Sequence, residues 1–95
     1  MDIKKTDQYV KWESAIRDER AKVRIASRLF RLANGHAGDT RPVGEGVSEL
    51  RIKYGPGYRV YYKQTGLEIV ILLAGGTKKT QRADIALAKE IARNI

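Results

Sequence analysis

The sequence predicts an α+β fold in which two N-terminal helices pack on a small, mainly antiparallel sheet and a C-terminal helix follows. Three patterns carry that expectation. Apolar residues recur at helical spacing between Asp7 and Ala33 and again after Gln81. From Ser48 to Lys63 they alternate with period two, and Ile69 to Ala74 is an unbroken apolar run. A chain of 95 residues holds one core and not two, so residues 1–95 are read as a single domain.

The elements follow in order. Met1 to Thr6 suits a short edge strand. Thr6 or Asp7 is an N-cap for a first helix carrying Tyr9, Val10, Trp12, Ala15 and Ile16. Asp18 caps a second helix running to about Ala33, where Asn34-Gly35 supplies a stop. Val23, Ala26, Phe30 and Ala33, with Ile25, Leu29 and Leu32 beside them, predict a wide buried stripe on this helix. Arg24, Arg28 and Arg31 fall at i, i+4 and i+7 and give it a basic edge. Gly35 to Gly46 holds four of the nine glycines and Pro42, and reads as a loop.

Two strands then flank the Gly55-Pro56-Gly57 turn. Their alternation puts Leu50, Ile52, Tyr58, Val60 and Tyr62 on one face. Glu49, Arg51, Lys53, Arg59, Tyr61 and Lys63 fall on the other. A third strand, Leu67 to Ala74, is apolar at nearly every position after Glu68, as a strand covered on both faces should be. Gly75-Gly76-Thr77-Lys78-Lys79-Thr80 follows, and then a helix from about Gln81 that buries Ile85, Ala88, Ala92 and Ile95.

Nineteen Lys and Arg against eleven acids leave a net charge of +8, which points to a polyanionic partner, nucleic acid or an acidic protein. The chain contains no cysteine, so disulfides and thiolate metal sites are excluded. The N-terminus has no signal-peptide core and the longest apolar run is far too short for a bilayer. A cytoplasmic protein without membrane contact is expected. The single histidine, His36, supports neither a metal centre nor a catalytic triad, so no metal and no cofactor are anticipated.

The basic hairpin face is where function is expected. Arginine forks bind phosphate bidentately and lysines add point charge. The segment after the third strand lacks the Gly-x-x-x-x-Gly-Lys-Ser/Thr spacing of a nucleotide-hydrolysing loop. Its backbone amides with Lys78 and Lys79 form either an anion site or a hydrated turn. Lys53, Tyr61 and Lys63 would bind RNA through phosphate contacts and base stacking. Arg51, Arg59 and Lys78 or Lys79 would stabilise the charge of a phosphorane-like transition state, with Glu49 the only base on that face and no evident acid. The plainer possibility is that Glu49 pairs across strands with those cations and is structural.

Three patches also resemble the RelE/ParE toxin superfamily, most closely its HigB-like addiction-module killer branch. They are Tyr9-x-x-Trp12; Gly44-Glu45-Gly46-Val47-Ser48-Glu49-Leu50-Arg51 with Gly55 to Tyr61; and Leu72 to Gln81 with Asp84-Ile85. The resemblance implies the toxin of a type II toxin–antitoxin module: an mRNA endonuclease that works on the ribosome without metal, partnered by a helix-turn-helix antitoxin. By position it matches Arg51 and Arg59 to strand cations of the catalytic site and Lys78 or Lys79 to the cation after the last strand. With Glu49 as the base, these residues are the catalytic candidates. Glu49 stands where that family has a strand lysine, and no tyrosine or histidine follows Tyr62. ParE-type relatives poison DNA gyrase without cleaving RNA, which leaves a non-catalytic toxin as the alternative, and a basic nucleic-acid adaptor as a third.

Overall fold

The computed structural model describes residues 1–95. The elements are β1 (Asp2–Lys5), α1 (Asp7–Ala15), α2 (Glu19–Ala33), β2 (Thr40–Gly44), β3 (Val47–Ile52), β4 (Tyr58–Thr65), β5 (Ile69–Thr77), a 3₁₀ turn (Lys78–Thr80) and α3 (Gln81–Arg93). The fold is α+β, and its centre is a five-stranded sheet in the order β1-β5-β4-β3-β2. β1 lies parallel to β5 and the other neighbours are antiparallel, so the sheet is mixed. The helices divide between its two faces instead of stacking together.

Two caps place the helices. The Thr6 hydroxyl accepts from the Tyr9 amide at 3.1 Å to start α1. It also lies 2.9 Å and 2.8 Å from the Leu72 and Leu73 carbonyls, which ties the helix start to β5. Asp18 accepts from the Arg20 and Ala21 amides to start α2, and its other oxygen accepts from Tyr54 at the hairpin turn.

One core lies under α1 and α2. There Tyr9, Ile16, Ala21, Ile25, Leu29 and Leu32 meet Leu50, Ile52, Val60, Tyr62, Val70 and Leu72 of the sheet. The other lies under α3, where Ala88 and Ala92 meet Val47, Tyr61, Leu73 and Ala74. The sheet is thus covered on both faces and carries two buried clusters where the chain length predicts a single core. Burying a large apolar side chain in either is worth about 1.5–3 kcal/mol. No helix is long and apolar enough to cross a membrane.

Several expectations are corrected here. The Gly35–Gly46 loop contains β2, an edge strand that pairs with β3 and carries a register shift between Pro42 and Gly44. On α2 the buried stripe is Ala21, Ile25, Leu29 and Leu32, while Val23 and Phe30 are exposed. Val10 and Ile95 are likewise exposed, the latter beyond the end of α3. β5 runs on through Gly75 and Gly76 to Thr77. Opposite Tyr61 and Tyr62 it carries one extra residue, Leu73, so that Leu73 and Ala74 both pack under α3.

Candidate functional site

At the turn end of β3 and β4 an open cleft of about 290 Å³ is lined by Arg51, Lys53, Arg59 and Lys78, with Asp39, Ile52 and Gly57 completing the wall. Four of the eight residues expected at the site therefore share one cavity. Arg51 and Arg59 are direct cross-strand partners. Like charges in that relation repel, so the arrangement costs stability unless each has an anion. Arg51 has Asp39, donating to its Oδ1 from Nη2 at 2.8 Å and from Nε at 3.2 Å. Arg59 has Glu49, with Nε 3.6 Å from Oε2, an ion pair without a hydrogen bond.

One carbonyl brings Lys78 in. Gly57 O accepts from Arg59 Nη1 at 2.7 Å and from the Lys78 amide at 2.9 Å. Gly57 has φ of +78°, which a residue with a side chain adopts only with strain. The turn, β4 and the end of β5 are thus joined at one point.

Glu49 and Tyr61 do not present on the open face that the alternation predicts. Both have 0% exposure, because α3 lies over that part of the sheet. Glu49 Oε1 accepts from Arg41 Nε at 3.0 Å, and its Oε2 accepts from Gln81 at 2.8 Å and from the Tyr61 hydroxyl at 3.1 Å. Burial raises the Glu49 carboxyl, but the hydrogen bonds from Gln81, Arg41 and Tyr61 outweigh it and hold it below the ordinary carboxylate value. Burial, and then the Glu49 charge, push the Tyr61 hydroxyl upward. Glu49 therefore sits beneath the cleft and anchors Arg59, and Tyr61 offers no ring face for a base to stack on.

The other two expected residues lie apart. Lys63 pairs opposite Val47 and lines a different hollow with Gln64 and Ile95. Lys79 is exposed on the 3₁₀ turn but is not among the residues lining the cleft. The Gly75-Gly76 pair is a packing feature and not a phosphate loop. A Cβ on Gly75 would run into the Trp12 indole, and one on Gly76 into the Asp84 carboxylate. That carboxylate occupies the first turn of α3 and accepts from Thr80. No group of three or more His, Cys, Asp or Glu side chains is arranged to hold a metal ion.

Asp39, Arg41 and Gln81 were not legible as site residues. Asp39 sits in the glycine-rich loop and reaches Arg51 only through tertiary folding. The Arg51 hydrogen bond outweighs the opposing effect of burial and holds its carboxyl below the ordinary value. Arg28 reinforces this wall from α2, donating to the Arg51, Ala37 and Asp39 carbonyls at 2.6, 3.1 and 3.2 Å.

Comparison with known proteins decides the family. The model of the family described as "Phage derived protein Gp49-like (DUF891)" matches residues 10–94. The chain belongs to the Gp49-like family. It is also 45% identical over 93 residues to an uncharacterized protein of Haemophilus influenzae, covering 98% of this chain and 94% of the other. The resemblance to RelE/ParE toxins and their HigB-like branch is thereby corrected, since the family that matches nearly the whole chain is a different one. The residues behind that resemblance have local explanations. Gly75 and Gly76 clear Trp12 and Asp84, and Glu49 is the buried anchor of Arg59.

Proposed function

We propose that this Gp49-like protein is the toxin of a type II toxin–antitoxin pair and acts as a metal-independent endoribonuclease on messenger RNA at the ribosome. The observation that carries the reading is the convergence of Arg51, Lys53, Arg59 and Lys78 on one open cleft. Arg51 and Arg59 are opposed across the strands, and a phosphate in the cleft would meet both guanidinium groups in addition to the carboxylates that already pair them. A phosphorane-like transition state carries more negative charge than the phosphodiester, so the same cations bind it more tightly. The 2′-oxygen attacks the adjacent phosphorus and the 5′-oxygen leaves, giving a cyclic phosphate and a free 5′-hydroxyl. Solvent in the open cleft takes and returns the protons, because Glu49 and Asp39 are both engaged by arginines. Positioning and charge stabilisation then supply most of the acceleration.

The partner is a helix-turn-helix antitoxin with an acidic segment, drawn to the basic face at a salt-sensitive rate. One observation favours a second reading, in which RNA is bound but not cut: the one carboxylate lining the cleft, Asp39, is paired with Arg51 through Oδ1 and its Oδ2 is buried.

Inducing the protein and mapping transcript 5′ ends with translation on and off separates the two. The nuclease reading expects codon-phased cuts only while ribosomes translate. Growth arrest with intact messages supports binding alone. Lys53→Ala/Lys78→Ala, both exposed positions, should restore growth with the fold retained. Unchanged toxicity of that variant would remove the cleft from the mechanism.

A further inference from the structure

A second groove, of about 380 Å³, lies between α2 and β3, and it shares Asp39, Arg51, Ile52 and Lys53 with the cleft. Its far wall is the basic edge of α2, Arg24, Arg28 and Arg31, with Ser27 between them. The two hollows are therefore one basic track bent around the Arg51–Lys53 wall. Arg28 is held by three backbone carbonyls, so Arg24 and Arg31 are the cations of this wall left to meet a ligand. Arg24 is already oriented, its guanidinium stacked 4.7 Å from the centre of the Tyr54 ring. Asp39 is the sole acid on the groove wall and is paired with Arg51.

We propose that this groove binds the phosphate backbone of single-stranded RNA as it leaves the cleft, so that one strand occupies both hollows. The proposal rests on the reading of the cleft as an RNA site. Arg31 lies seven positions beyond Arg24 on the helix, roughly 10 Å along the axis at a rise of about 1.5 Å per residue. At about 3.4 Å per stacked nucleotide that length matches about three nucleotides. A groove walled by arginines with Ile52 as its single apolar residue suits a phosphate chain. An acidic protein segment would need apolar anchor sites that this groove lacks, and is the competing occupant.

The test compares fluorescein-labelled oligouridylates of four and twelve nucleotides by anisotropy against salt. The variants are Arg24→Gln/Arg31→Gln and a charge-matched control at exposed, distant positions, Lys4→Gln/Lys11→Gln. Loss of two phosphate contacts should flatten the twelve-mer's log–log salt slope by about 1.4 and weaken it about tenfold at low salt. The four-mer, too short to occupy both hollows at once, should change less than about twofold, and the control should change neither slope. An unchanged twelve-mer slope overturns the groove while leaving the cleft standing. Equal losses for both lengths, or for the control, also overturn it, since net charge would then explain the effect. Binding of a polyglutamate peptide that depends on Arg24 and Arg31, with RNA binding unaffected, assigns the groove to an acidic protein. If the unmutated protein binds neither oligonucleotide, the cleft reading fails as well.

Discussion

Glu49 and Arg51 stand two residues apart on the same face of β3, yet they occupy opposite environments. Glu49 is covered by α3 and held by Arg41, Tyr61, Gln81 and Arg59, with no solvent contact. Arg51 lies past the edge of that cover, with 39% of its side chain exposed and a cleft in front of it. The difference teaches that helix coverage, not strand alternation, decides which polar residues of this sheet can meet a ligand. The covered part makes a rigid polar floor, and the uncovered part makes a binding surface.

The largest effect that could break this contrast is at the floor. Glu49→Ala leaves Tyr61 and Gln81 without their acceptor and Arg59 without its counter-ion, and should destabilise the fold by about 3–5 kcal/mol. Arg51→Ala disrupts a half-exposed, solvent-screened pair and should cost much less. Urea unfolding of the two variants measures the gap, and similar losses would erase the distinction between floor and surface.

Next comes the sheet end itself. Gly75→Ala forces a methyl against the Trp12 indole and should cost about 1–3 kcal/mol through overpacking. Thermal melts read this directly, and an unchanged melting temperature would mean that the α1 contact yields.

A smaller effect is pH-dependent. The folded Glu49 carboxyl titrates below its ordinary value of 4.5, so its stabilisation is fully present above that pH and disappears as pH falls through the depressed folded value. Unfolding free energy measured from pH 6 downward should decline less steeply in Glu49→Gln than in the unaltered protein. Parallel declines would mean that other carboxylates carry the acid sensitivity.

The smallest effect sharpens the membership of the cleft. Lys78→Ala should flatten the salt slope of oligouridylate binding by about 0.7, the loss of one phosphate contact. Lys79→Ala and Lys63→Ala, outside the cleft, should leave the slope unchanged, and equal effects at all three would reduce the site to general basicity.

Much of this was readable in the residues. The alternation of Leu50, Ile52, Val60 and Tyr62 marks the face under α1 and α2, and Asp18 does cap α2. The pairing of Glu49 with strand cations was open as a structural alternative, and the hydrogen bonds and ion pairs fit it. What escaped was tertiary in origin. β2 was hidden by Pro42 and its flanking glycines, which an edge strand tolerates and a central strand does not. The burial of Glu49 and Tyr61 depends on where α3 lands, and no local pattern in β3 or β4 encodes that. Val23 and Phe30 recur at helical spacing with the core residues, but their angular phase turns them away from the sheet, which helical spacing alone does not encode. Asp39 met Arg51 only once β2 and β3 had paired.

The shared acceptor at Gly57 has a dynamic consequence. Because one carbonyl holds both the Arg59 guanidinium and the Lys78 amide, an opening of the turn releases two cations in a single event. The amide proton of Lys78 is therefore a local clock for the cleft. Its exchange with deuterated solvent should slow when an anion bridges the cations and keep its pace when the ligand sits elsewhere.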